Sequence, residues 1–219
     1  MRFWAVLIIA AIPESLFAQG TGEVDLSASI VAVSYERSTR DMRWEDGSEG
    51  SATWDSGRIG IGVGIGDRIR GSIGGWYGPV EDEDVGVPES DFHLLMFGGK
   101  LAAYPYTRRN VRLGILAAYR HYTWQDRSIY REDRNIDTYR LQLRVERSFP
   151  EAMVWVAPTF RMDRLLNFRG GRLAHEADSI DNLGVAAGGS ILLANHYLPF
   201  LELAYVNGVQ LDIGLGYQL

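Results

Sequence analysis

Three groups of side chains in this sequence have the types and spacing to do chemistry. His121 and Thr123 stand two residues apart, and Asp137 follows at the start of what reads as the next strand, so a hydroxyl, an imidazole and a carboxylate can meet on one face of an antiparallel ladder. That is the composition of a nucleophile, its base and the group that orients the base. The second group is acidic. Glu81, Asp82, Glu83 and Asp84 offer oxygens that suit a hard divalent cation, although their spacing is not that of an EF-hand and a solvated loop would use the same residues. The third is a set of charges at every second position of apolar segments: Arg58, Arg70, Lys100, Arg112, Arg120, Arg140, Arg144 and Arg161, with Glu146, Asp163, Glu202 and Asp212 as counter-charges. His93 and His196 stand alone, and the chain has no cysteine, so neither a metal cluster nor a zinc-thiolate site is indicated and no cofactor is expected.

The elements that must carry these groups are strands. Ile59, Ile61, Val63 and Ile65 alternate with glycines, and Val209, Leu211, Ile213, Leu215 and Tyr217 alternate with Gln210, Asp212, Gly214, Gly216 and Gln218. In Tyr139–Glu146 one face is apolar and the other is Arg140, Gln142, Arg144 and Glu146. The same period predicts about ten strands, near Val24–Tyr35, Trp54–Gly66, Ile69–Tyr77, Phe92–Tyr104, Val111–Tyr122, Ile136–Phe149, Met153–Asp163, Leu183–Leu193, Pro199–Tyr205 and Val209–Leu219. In the first of these Leu26, Ala28 and Ile30 set the outward parity, in competition with Val31, Val33 and Tyr35.

Connections alternate between tight (Asp67-Arg68, Pro105–Asn110, Phe149–Ala152, Ala194–Leu198) and long and polar (Glu36–Thr53, Gly78–Asp91, Thr123–Asn135, Arg164–Asn182), and Asn207-Gly208 closes the last hairpin. Aromatic residues fall where two girdles on the outer surface would need them: Tyr104, Tyr106, Phe149, Tyr197 and Tyr217 by the short turns, Trp54, Tyr77, Tyr119, Tyr122, Trp124, Tyr139 and Tyr205 by the long ones. The fold class this predicts is all-β, an antiparallel up-and-down transmembrane β-barrel with charges inside and hydrocarbon outside. A periplasmic lipocalin-type barrel is the alternative, with the polarity reversed.

Arg2, the apolar run Phe3–Ile12 and the break at Pro13-Glu14-Ser15 read as a signal peptide over residues 1–18, cleaved after Ala18, with a barrel domain over 19–219. No later segment has the ~20 apolar residues of a membrane helix. The 219 residues are 46% hydrophobic and 23% charged with a net charge of −6, which fits one folded domain and offers no basic field for nucleic acid.

The closing segment Gln210–Leu219 (QLDIGLGYQL), with alternating apolar residues, Gly-x-Gly-Tyr and an apolar last residue, resembles the final strand of small Gram-negative outer-membrane barrels. The resemblance implies the outer membrane, contact with its lipid and lipopolysaccharide, insertion by the barrel-assembly machinery, and an extracellular ligand it does not name. The predicted role is structural, adhesive or in envelope integrity, around a salt-bridged and largely plugged lumen. A small anion-favouring, porin-like channel is one alternative. An outer-membrane enzyme is the other: His121-x-Thr123 is loosely similar to the His-x-Ser of lipid A deacylases, with threonine in place of serine, and Asp82-x-Asp84 with His175-Glu176-Ala177-Asp178 is similar to the acidic and histidine pairs of omptin proteases.

Overall fold

The computed structural model describes residues 29–65, 68–79, 92–126, 132–169, 172–194 and 196–219, and of 76–79, 92–94, 124–126 and 132 the backbone only. The signal segment, Leu26 and Ala28, and the acidic group Glu81–Asp84 lie outside the described residues. Among the described residues there are eleven strands: β1 (Ile30–Trp44), β2 (Glu49–Ile65), β3 (Ile69–Pro79), β4 (Phe92–Arg108), β5 (Val111–Asp126), β6 (Glu132–Ser148), β7 (Ala152–Arg169), β8 (Arg172–Ser179), β9 (Leu183–Ile191), β10 (Tyr197–Tyr205) and β11 (Val209–Gln218). All pairings are antiparallel. Ten strands close into a barrel through β11 and β1, where Ile30 faces Gln218 and Ser38 faces Gln210.

The eleventh strand, β8, was read in the sequence as part of a long loop. β7 is long enough to pair twice, with β9 along Ala152–Phe160 and with β8 along Arg164–Arg169. β1 likewise pairs with β11 and then, at Met42–Trp44, with β8. Between these two seams the β10–β11 hairpin stops short. Its tip has three residues, Val206-Asn207-Gly208, because Tyr205 and Val209 are already paired. Asn207 donates from its side-chain amide to the Ile180 carbonyl (3.0 Å), and a Cβ on Gly208 would meet the Thr39 carbonyl oxygen at 2.0 Å. β8 therefore fills the notch above a short hairpin and keeps the edges of β1 and β7 from being left open.

Most of a second predicted loop, Glu36–Thr53, is also ladder. β1 and β2 run on to Arg43–Glu49, leaving a tight turn where Gly47 has φ of 82° and Ser48 donates amide and hydroxyl to Asp46 (2.9 and 2.6 Å), which holds that carboxyl below its usual range. Hydrophobic alternation could not reveal this extension, because both faces of Glu36–Arg43 are polar apart from Met42. The same positions settle the parity of β1: Val33 and Tyr35 point outward, while Ile30 turns inward against Leu192 and Leu198.

Outside, the barrel is apolar. Ile59, Ile61 and Val63, Leu141 and Leu143, and Ile213 and Leu215 are each about half exposed, and Tyr119–Tyr139 and Tyr197–Tyr217 pair at opposite ends with ring centroids 5.1 and 5.4 Å apart. Four aromatics expected on the outer surface are buried instead. Trp54 and Tyr122 turn into the lumen; Tyr104 does too, and a bulge between Ala103 and Tyr106 then returns Tyr106 to the outer face. Phe149 is buried, with Arg147 5.1 Å from its ring centroid. Apolar side chains outside and charges inside are the polarity of a transmembrane barrel.

That polarity sets the cost of a surface charge. Leu143→Arg, near the middle of the outer face, should lower the free energy of unfolding from lipid vesicles by about 2–4 kcal/mol in a urea titration. A water-facing site would change by no more than about 0.5 kcal/mol.

Candidate functional site

Toward the long-connection end the lumen holds an apolar cluster of Met42, Trp54, Met96, Tyr122, Ile136, Leu165 and Ala177, none more than 6% exposed. Beneath it the charged residues form three tiers. In the first, Arg40 and Arg161 both donate to Asp163 (2.7 and 3.1 Å), the Thr138 hydroxyl adds a third bond (2.6 Å), and Arg161 reaches across to Gln210 (2.5 Å). In the second, Glu36 pairs with Arg120, which also lies 3.7 Å from Asp212 on the diametrically opposite strand; Arg58 is 3.5 Å from the same carboxylate. Arg140 pairs with Glu202, and Arg144 stacks on the Trp155 ring at 3.8 Å. In the third, Glu146 accepts from Arg112 (2.7 Å) and the Tyr104 hydroxyl (2.9 Å) with Arg70 at 3.7 Å, and the Tyr104 ring lies between the two guanidinium groups.

Every charge expected in the lumen faces inward, but Lys100 has no hydrogen bond or ion pair among the described residues. Glu36 and Arg40, central to two of the tiers, were missed, since both were assigned to a loop. No periodic signal marks them, because Glu36–Asp41 is polar on both faces.

On the outer surface near the same end, the hydroxyl, imidazole and carboxylate come together. Tyr119, His121 and Thr123 share the outward face of β5, and register sets His121 opposite Asp137 and Thr123 opposite Asn135. His121 Nδ1 lies 2.8 Å from Asp137 Oδ1 and its Nε2 lies 2.8 Å from Thr123 Oγ1. An ionised carboxylate only accepts, so Nδ1 carries a proton, and in the neutral imidazole Nε2 is then the acceptor for the threonine hydroxyl. The Tyr119 hydroxyl also donates to Asp137 Oδ1 (2.7 Å), and Phe97 packs against the imidazole at 5.0 Å. Asn135 was not singled out in the sequence. Its side-chain oxygen is buried without a hydrogen-bond partner.

The omptin-like pairing does not assemble among the described residues. His175 and Asp178 fall on opposite faces of β8, and Asp82 and Asp84 lie outside the described residues.

No family profile and no curated protein matches the chain. Among solved structures it is similar to the outer membrane protease OmpT of Escherichia coli (TM-score 0.47, 11% identity, covering 89% of this chain and 98% of that one). It is also similar to an outer membrane channel of Pseudomonas putida F1 (0.46, 11%, 90% and 97%) and to the translocator domain of the autotransporter NalP of Neisseria meningitidis (0.44, 12%, 99% and 95%). Likeness at this level concerns the fold and assigns no activity.

Asp163 is fully buried between two arginines, so Asp163→Ala leaves both charges without their carboxylate. It should destabilise the barrel by about 3–5 kcal/mol in a urea titration of the folded protein.

Proposed function

We propose that this chain is an integral outer-membrane β-barrel whose lumen does not conduct, with a structural, adhesive or envelope-integrity role carried by its outer end. The observation that supports the closed lumen is the set of ion pairs within it: Glu36–Arg120 and Arg120–Asp212 join strands four and five places apart in the ring of ten, and Arg40–Asp163 joins β1 to β7 above them, beneath an apolar lid. Moving a solute past them would separate buried opposite charges, several kcal/mol per ion. The short turns face the periplasm in this reading and the long connections face outward, with lipopolysaccharide as the immediate partner of that rim. Recovery in the outer-membrane fraction, heat-modifiable migration and an absence of stepwise conductance in planar bilayers are expected. A soluble periplasmic product, or stable open channels from the wild-type protein, would overturn the reading.

A second reading rests on the Thr123–His121–Asp137 relay, which would make the rim an acyl hydrolase for ester-linked chains of outer-leaflet lipid. Thr123 Oγ1 attacks the ester carbonyl as its proton passes to His121 Nε2; that nitrogen then protonates the leaving alcohol. Water, deprotonated by the same nitrogen, releases the acyl chain and restores the hydroxyl. Asp137 holds the imidazole in the required tautomer, and Asn135 stands across the ladder where an amide could meet the developing oxyanion. Mass spectrometry of lipid A from expressing cells should show loss of an acyl chain. Thr123→Ala and His121→Ala should each reduce it by about 100-fold or more, with Thr123→Ser retaining it. Undiminished release by Thr123→Ala would rule the relay out.

A further inference from the structure

We propose that the half of the lumen nearer the short turns is a blind binding site for a small organic anion with a compact apolar body, its charged end a carboxylate or phosphate. Two adjoining cavities lie there, about 280 and 200 Å³, running from Arg58 and Arg120 at mid-depth to Gly64 and Tyr104 near the turns. The inward face of β2 at Gly60, Gly62 and Gly64, and of β11 at Gly216, carries no side chains, which leaves this space beside the ion pairs rather than inside them.

Its chemistry is uneven. Below the apolar lid, and among the described residues, nine inward cations (Arg40, Arg58, Arg70, Lys100, Arg112, Arg120, Arg140, Arg144, Arg161) face five carboxylates (Glu36, Glu146, Asp163, Glu202, Asp212). Within a wall surrounded by hydrocarbon, that excess calls for anionic compensation. The surplus is concentrated at the cavity. Lys100 makes no hydrogen bond or ion pair among the described residues, and Arg120, itself 5% exposed, leaves Nη2 without a hydrogen bond, 3.7 Å from Asp212. Arg58 and Arg144 complete the cationic side; Glu202 is the single carboxylate on the lining. Beside them Trp155, Phe200, Met153 and Leu116 supply apolar lining. Convergent cations beside an apolar wall in a largely preformed cavity match an amphipathic anion better than a free inorganic ion.

This goes beyond the closed-barrel reading, and its test does not read conductance. Phenyl phosphate is titrated by isothermal calorimetry into the folded barrel in dodecyl maltoside, with 2-phenylethanol as the neutral counterpart of similar size. One saturable site is expected for phenyl phosphate and none for 2-phenylethanol. Lys100→Gln should weaken binding at least about 10-fold, the order of one charge-assisted hydrogen bond. Gly62→Phe should abolish it by standing where the two cavities meet; a Cβ at Gly62 meets nothing closer than Ser72 Cβ at 3.6 Å, so this variant keeps the test informative should Lys100→Gln not fold. No saturable heat with phenyl phosphate, equal binding of 2-phenylethanol, or unchanged affinity in a heat-modifiable Gly62→Phe barrel would overturn the site. A barrel that partitions to the membrane and conducts nothing, yet takes no phenyl phosphate, would lose the site alone.

Discussion

A sheet that faces hydrocarbon cannot leave a row of N–H and C=O groups unpaired, so closure is the condition on which everything else in this molecule depends. The β10–β11 hairpin is too short to close the wall along its full height, and β1 and β7 both extend beyond it. β8 resolves this by pairing with each of them above the hairpin tip, where Asp41 donates its amide to the Asn207 carbonyl (3.3 Å) and Ile180 donates to Asp41 (3.1 Å). Away from that notch β5, β6 and β7 pair directly up to the rim, and the β5–β6 register brings His121, Thr123 and Asp137 together.

Closure also decides the interior. With the outer face committed to lipid, every polar side chain of alternating parity is sent into a narrow lumen and must find its partner there. Buried ion pairs add little net stability over an apolar core, but each is costly to break. The tiers at Asp163, at Glu36 and Glu202, and at Glu146 are better understood as mutual satisfaction than as sources of stability. Where the glycine faces of β2 and β11 supply no side chains, satisfaction is incomplete. Lys100 stands at that gap.

Much of the fold was legible because a period of two survives wherever one face is apolar. Ile59–Ile65, Leu141–Val145 and Val209–Tyr217 could be assigned to strands, and Arg58, Arg140, Arg144 and Asp212 to the opposite face, without any tertiary knowledge. The signal fails where both faces are polar, as in Glu36–Arg43, and where a strand is short and exposed, as in β8, whose first four residues are all exposed. The aromatic residues misled for a related reason. Hydropathy cannot distinguish a tyrosine that meets headgroups from Tyr122, which donates to Glu36 inside the lumen (3.3 Å).

The sequence by itself determined which face of each central strand is oily, and therefore the inside-out polarity and the direction of nearly every lumen charge, because parity is a local property of the backbone. Register is not local. Which carboxylate meets which guanidinium, the conversion of a long loop into β8, and the 2.8 Å contacts of His121 with both Thr123 and Asp137 follow from how strands slide and close around the ring. Only the tertiary structure decided them, since each depends on pairing between segments whose separation along the chain carries no record of their alignment.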